Sequence, residues 1–357
     1  MGSPNPLAFA IAREARGHTQ TALAKLAGVS QATISKIEGG QQEPSPEVTD
    51  GIAHALGFPR EFFDQQVDFR HLPQSFYRKR VTGIAERTKK AVGAWHNIIR
   101  MQLRTLLSAT NLPALNVPLL HLDEERMRPG DAAKRVRLGW HLPRGPLENL
   151  TAAVEAAGVM VLRVQLETRR VDGFSFFEQN GELPPVMFIN TDLPADRYRF
   201  TLAHELGHVV MHTHLPLAES EARDVESEAD AFASELLMPE GDIRGHLSGR
   251  ITVARLAELK PFWKVAMAAL LYRAQQLHRV TPHQARRLWM HLRGRFGVEE
   301  PNPIEQEQPS LLRQVLALHT GTLGYSPPQL AALLRTSVDD VDRLYGIRST
   351  GGLRVVT

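Results

Sequence analysis

The stretch His204-Glu205-Leu206-Gly207-His208 restricts the fold of this chain more than any other. Histidines four positions apart can grip one ion when the backbone between them is helical, because side chains at that spacing share a helix face. The helical pattern of residues 196–211 agrees. A catalytic metal site wants a third protein ligand and leaves one position for water, so another element has to contribute a donor. The acidic run Glu226-Ser227-Glu228-Ala229-Asp230 lies on the next expected helix, residues 220–237. Glu226 and Asp230 share a face one turn apart: one can ligate while the other accepts a hydrogen bond from a ligating imidazole. Glu228 points elsewhere. With no cysteine and 15 histidines in the chain, thiolate ligands, iron–sulfur clusters, disulfides and a cysteine nucleophile are excluded, and any metal must use His and carboxylate.

In such a site Glu205 takes a proton from water whose pKa a metal lowers to about 7, and the activated water attacks a polarised amide carbonyl. His212 and His214 are expected to be structural or exposed, because at 3.6 residues per turn His212 rotates off the axis shared by the first two rings. The strand at residues 186–190 has two open readings: it binds an extended substrate by edge pairing, or it is a buried structural strand.

Around this centre the pattern gives helices over 131–140, 147–157 and 256–277, a strand over 159–166, and a hairpin over 173–190 turning at Gln179-Asn180-Gly181. Residues 299–309 read as a linker and 311–346 as a small helical tail. Within the tail, Asp339, Asp340 and Asp342 would be repelled by a duplex, which favours packing or protein contact. Toward the N-terminus, residues 7–57 read as short helices separated by Gly and Pro, and 78–107 as one longer helix with a basic outer face. From Asp68 to Arg104 there are nine Lys and Arg (Arg70, Arg78, Lys79, Arg80, Arg87, Lys89, Lys90, Arg100, Arg104) against two acids, a local charge of 9 − 2 = +7. This face either contacts phosphate or is simply solvated.

Thr19-Gln20 opens a short helix, Ala27-Gly28-Val29 makes a turn, and Ser30 can N-cap a second helix ending near Glu38, which is helix-turn-helix spacing. The stretch 13–56, with Leu23-Ala24, Gly28-Val29-Ser30, Ile34-Ser35-Lys36-Ile37-Glu38 and Pro44, resembles the phage-repressor-like (XRE) family. The resemblance implies that Gln31, Ala32, Thr33 and Lys36 face the major groove and that Gln20 anchors a phosphate. One departure is electrostatic: residues 1–60 carry five basic and five acidic side chains, so the module lacks the usual attraction to DNA. A helical bundle used for protein contact is the alternative.

The segment Phe200-Thr201-Leu202-Ala203-His204-Glu205-Leu206-Gly207-His208-Val209-Val210-Met211-His212, followed by Glu226 to Asp230, Ala231-Phe232-Ala233 and Leu236-Leu237-Met238-Pro239, closely resembles the ImmA/IrrE metallopeptidases over about residues 131–272. By that resemblance Glu226 is the third ligand, Asp230 supports an imidazole, and the substrate is itself a phage-repressor-like transcription factor, cleaved after stress.

The fold class expected is multidomain: an all-α helix-turn-helix domain (1–66), a basic helical connector (67–112), an α+β zincin-like (thermolysin-like) metallopeptidase domain with a small antiparallel or mixed sheet (113–280), and a helical C-terminal region (281–357). The function expected is a cytoplasmic, DNA-binding zinc metalloendopeptidase, with manganese or iron as other occupants of a two-His, one-carboxylate site. Its partners would be a repressor substrate and double-stranded DNA, with no membrane and with homodimerisation open. Two rivals stand beside it: a transcription factor whose peptidase-like domain senses a ligand or metal without turnover, and a toxin–antitoxin or lysogeny component that blocks a partner.

Overall fold

The computed structural model describes residues 4–65, 85–166, 170–178, 181–215, 220, 222–296 and 300–347. Arg70, Arg78, Lys79 and Arg80 of the basic stretch, and Gln179-Asn180 of the expected hairpin turn, lie outside them. The protein is multidomain α+β and divides into two compact units: Met1–Leu112 with Leu166–Arg170 and Leu312–Thr357, and Pro113–Gln165 with Val171–Leu311. Residues 281–357 are therefore divided, with 281–311 in the second unit and the remainder in the first.

The first unit opens with α1 (Pro6–Ala15), α2 (Gln20–Ala27), α3 (Gln31–Glu38) and α4 (Pro46–Leu56). Local chemistry sets their ends. Thr19, Ser30 and Ser45 accept backbone N–H groups of the first turns of α2, α3 and α4, and Gly28 takes the left-handed conformation (φ 69°) that closes α2 and turns the chain into α3. Phe9, Ile34, Ile52, Phe62 and Phe63 form the core, to which α5 (Glu86–Leu107) adds Ala94 and Ile98. The Trp95 indole N–H donates to the Ala15 carbonyl at 2.9 Å.

The outer face of α5 is less basic than expected. Arg100 is 1% exposed, with His96 and Asn97 buried beside it, while Lys89 pairs with Glu86 and Lys90 with Glu14. Charge counting places all of these groups in solvent; packing takes Arg100 inside.

The second unit is built from α6 (Pro129–Gly139), α7 (Leu150–Ala156), β1 (Met160–Val164), β2 (Gly173–Phe176), β3 (Val186–Asn190), α8 (Ala195–Met211), α9 (Val225–Leu237), α10 (Glu240–His246), α11 (Val253–Trp263), α12 (Met267–Gln276) and α13 (Pro282–Phe296). Strand order is β1-β3-β2: β1 runs parallel to β3, and β2 runs antiparallel to it with Gly173 opposite Ile189 and Phe176 opposite Val186. Of the two readings of residues 186–190, the edge reading is therefore wrong: β3 is central, paired on both sides and buried at all five positions. Its run Val-Met-Phe-Ile-Asn is apolar without alternation, as suits a strand covered on both faces.

The pattern of residues 256–277 predicts one helix, and the chain forms two. Lys264 adopts the left-handed conformation (φ 53°) and ends α11, and a second helix starts after Ala266. That second start is fixed from afar: the Glu300 carboxylate accepts the N–H groups of Met267 (2.6 Å) and Ala268 (3.1 Å). The stretch expected as a linker is thus a strap fastened by acids on helix N-termini, where orphan N–H groups and the helix dipole favour negative charge. Glu307 takes the N–H groups of Leu150 (3.0 Å) and Thr151 (2.8 Å) and pairs with buried Arg199. Glu155 in turn accepts Ser310 N at 2.8 Å and Leu311 N at 3.0 Å. Arg199 and Glu307 have side chains 1% and 6% exposed, so Glu307→Ala should destabilise the unit by about 3–5 kcal/mol by stranding a buried cation. Thermal unfolding of purified variant and wild type checks this; a loss of less than about 1 kcal/mol would mean that water reaches Arg199.

The first unit is completed by α14 (Leu311–Ala317), α15 (Pro327–Leu333) and α16 (Val338–Tyr345), whose Val315, Leu316, Leu330 and Val341 pack with Leu106 of α5. Asp340 is buried in a two-pronged pair with Arg16 (2.9 and 2.6 Å), the packing role anticipated from its sign. Asp339 and Asp342 are exposed.

Candidate metal centre and recognition helix

Helix α8 runs through the middle of the second unit, buried at every position from 201 to 211. Its crossing with α9 is close because position 207 has no side chain. A Cβ at Gly207 would stand 3.1 Å from the Phe232 ring and 3.3 Å from the Ala229 backbone, tighter than ordinary contact, so any larger residue would push α9 away. That closeness brings the acids of α9 to the histidines of α8.

His204, His208 and Glu226 offer ligand atoms that all lie within 4.8 Å of one another. The two Nε2 atoms are 3.1 Å apart, and Glu226 places Oε2 3.6 Å from His204 Nε2 and Oε1 3.3 Å from His208 Nε2. Donors about 2.0–2.1 Å from one tetrahedral ion stand roughly 3.3 Å from each other, so this set fits a zinc-sized cation. The neutral imidazole and carboxylate donors also suit manganese or iron.

Each histidine is held from behind. His204 Nδ1 lies 2.7 Å from Asp230 Oδ1. His208 Nδ1 lies 2.9 Å from His212 Nδ1, and His212 Nε2 lies 3.0 Å from Glu228 Oε2. Arg223 binds the same carboxylate at 2.8 Å and also pairs with Asp123. One proton arrangement satisfies the series: His208 donates to His212, and His212 donates to Glu228, leaving His208 Nε2 bare. Burial supports it, pushing His212 down to about 4 against the opposing pull of Glu228, so the ring stays neutral and can accept. Sequence reasoning leaves His212 and Glu228 out of the ligand set and misses this support; the signal available is that His212 continues the i, i+4 series from His208.

Burial acts to lower His204, but hydrogen bonds to Asp230 and Glu226 and the charge of Glu205 outweigh it and raise the ring to about 9. Burial acts to raise Glu226, and the two imidazoles overcome it, holding the carboxyl far below the usual range. Loading a metal must then expel the His204 proton. Because the group is protonated below about pH 9, log affinity should climb by about one per pH unit from roughly 7 toward 9 and then level, which competition titration with a chelator measures. A flat profile across that window would show that His204 is already neutral without metal.

Glu205 is buried, and its Oε2 accepts the Ser175 hydroxyl of β2 at 2.9 Å. Ser175 leaves only a faint trace in the sequence, as one polar residue between Phe174 and Phe176, pointing to the opposite face of the strand from those rings. A cavity of about 390 Å³ opens beside Asp230, walled by Arg197 and Phe200 of α8, Ala269 and Tyr272 of α12, and Trp289 of α13. Supporting groups of this kind typically contribute 10–100-fold to metal affinity, so Asp230→Ala and His212→Ala should each weaken binding by about that factor while leaving the fold intact. Isothermal titration decides it, and affinities equal to wild type would remove both groups from the site.

In the first unit, α3 exposes Gln31, Ala32, Ser35 and Lys36, and buries Ile34 and Ile37. Ser30 caps it, accepting Thr33 N at 3.0 Å and bonding the Thr33 hydroxyl at 2.8 Å, so Thr33 is half-buried and engaged locally. Gln20 donates to Glu38 at 2.8 Å and accepts from Gln31 at 2.9 Å, and Glu38 is itself clamped by Arg13 at 2.6 Å. The Gln31 amide is thereby held at the exposed start of α3 with its carbonyl and one N–H still to spend.

Residues 154–275 match the family model described as an IrrE N-terminal-like domain, of the peptidase M78 type, and residues 8–65 match one described as a helix-turn-helix domain. No curated protein matches the chain. Metal dependence is typical of the M78 type. The chain joins, in N-to-C order, an XRE-type helix-turn-helix domain to an IrrE N-terminal-like, metallopeptidase-like domain.

Proposed function

We propose that this protein is a DNA-binding regulator that hydrolyses a peptide bond in a protein target, the target being a phage-repressor-like transcription factor. The observation carrying this reading is the convergence of His204, His208 and Glu226 with Glu205 alongside them, buried and held by Ser175. Bound there, a divalent cation such as zinc would supply Lewis acidity and lower the pKa of a water to about 7. The chain's own residues do the rest. Asp230 and His212 occupy Nδ1 of His204 and His208, so each ring would offer Nε2 to the ion, His204 after giving up its second proton. Glu205 accepts the proton of the attacking water and passes it to the leaving amine, while Ser175 keeps its carboxylate aimed. Strand β2 forms a sheet edge and carries Ser175, so an extended segment pairing with it would lie next to Glu205. The helix-turn-helix domain would bring the enzyme to operator DNA or to a repressor of its own kind. Metal analysis of the purified protein, with intact-mass measurement of co-encoded repressor-like proteins incubated with it, tests the reading. One discrete cut, abolished by chelator and restored by zinc or manganese, supports it. Bound metal without any cut, after both metals are supplied, favours a sensing domain instead.

A further inference from the structure

The helix-turn-helix domain has no charge surplus, and the part of α5 within the described residues spends several of its cations internally. A denser cluster of unpaired positive charge lies elsewhere. Helix α13, PHQARRLWMHLRGRF, has four arginines, two histidines and no acid. At about 100° per residue it splits into two faces. Ala285 and Leu292 are buried, and Leu288 and Trp289 pack partly against the same core, with the Trp289 indole donating to Gln275 at 2.7 Å. On the opposite face His283, Arg286, Arg287, Met290, His291 and Arg293 lie toward solvent.

Several other exposed arginines of this unit have carboxylate partners: Arg128 with Asp131, Arg135 with Glu125, Arg144 with Asp242 and Arg244 with Glu240. Among the described residues Arg286 and Arg287 have none, and Arg293 lies only over the Trp289 ring, 5.7 Å from its centroid. Arg286 and Arg293, seven residues apart, stand one above the other about 10 Å apart along the axis at about 1.5 Å per residue. That row of unpaired guanidinium groups on a rigid helix complements a regularly spaced row of phosphates.

We infer that the exposed face of α13 is a second DNA-contact surface, binding the phosphate backbone without reading sequence. It lies outside both segments matched by family models. The inference builds on the DNA-binding reading of the helix-turn-helix domain but assigns non-specific affinity to the peptidase-like unit. Neutralising a phosphate releases condensed counterions, so each contact contributes about 0.9 to the slope of log affinity against log salt.

The test uses the full chain and a random-sequence duplex, with binding followed by fluorescence anisotropy across a salt series. Arg286→Gln with Arg287→Gln should lower the slope by about 2 and weaken binding roughly tenfold or more near 0.1 M salt. Circular dichroism melting, expected unchanged for exposed substitutions, guards against misfolding, and single substitutions each lowering the slope by about 1 give an independent count. An unchanged slope overturns the inference. So does retained duplex binding together with lost binding to polyglutamate, which would assign the face to an acidic protein. Failure of the operator reading looks different: selection from a random pool would enrich no sequence, while the α13 pair would still change the slope.

Discussion

Glu205→Gln should keep its metal and lose peptide hydrolysis by about 10²–10⁴-fold, the range for removing a positioned general base. The substitution preserves shape, and the amide oxygen can still accept the Ser175 hydroxyl that Glu205 accepts at 2.9 Å. It leaves His204, His208 and Glu226 untouched, so metal content should equal that of wild type. What disappears is the ability to take a proton. Residues 8–65, which carry the helix-turn-helix, are also unchanged, so duplex affinity should stay within experimental error. Elemental analysis, intact-mass cleavage assays and anisotropy on the same preparations separate the three quantities. Cleavage at the wild-type rate would falsify the role given to Glu205. Normal gene regulation by a cleavage-dead variant would show instead that proteolysis is incidental to the regulator.

The second large effect concerns α9. Glu226→Ala removes one of three converging donors and should cost metal affinity well over about 100-fold, beyond the 10–100-fold typical of losing a supporting group. Glu228→Ala should fall inside that smaller range. Its carboxylate touches His212 at 3.0 Å, and its influence on the ion passes through His212 and then His208. Competition against a chelator at fixed pH measures both variants on one scale. Equal losses, or a greater loss for Glu228→Ala, would overturn the choice of third donor.

The two acids show how far sequence alone reaches. Glu226 and Asp230 are one turn apart, and helical geometry by itself requires them to share a face. The spacing does not say which of the two faces the rings' inner nitrogens. The crossing of α8 and α9 decides that, set by the missing side chain of Gly207 against Phe232 and Ala229. Ser175 illustrates the opposite limit: a lone serine in a short strand says nothing of catalysis until the sheet places it beside Glu205.

Periodicity and capping determined the elements of the helix-turn-helix. The features that end α2 and start α3 are local, a left-handed Gly28 and the Ser30 side chain, and each acts within a few residues of itself. The His204-to-His208 helix was equally constrained, since a helical backbone is what lets both rings reach one ion. Long-range packing decided the remainder. The central position of β3 follows from pairing with strands on both sides, and a strand's own sequence does not name its neighbours. The break between α11 and α12 is capped by Glu300, 33 residues from Met267, and the supposed linker is a strap because Glu300, Glu307 and Glu155 find helix N-termini or backbone N–H groups distant in the chain. Local sequence fixes what the backbone can do with its own nearest hydrogen bonds; which distant charge satisfies the orphaned ones is settled only when the chain is packed.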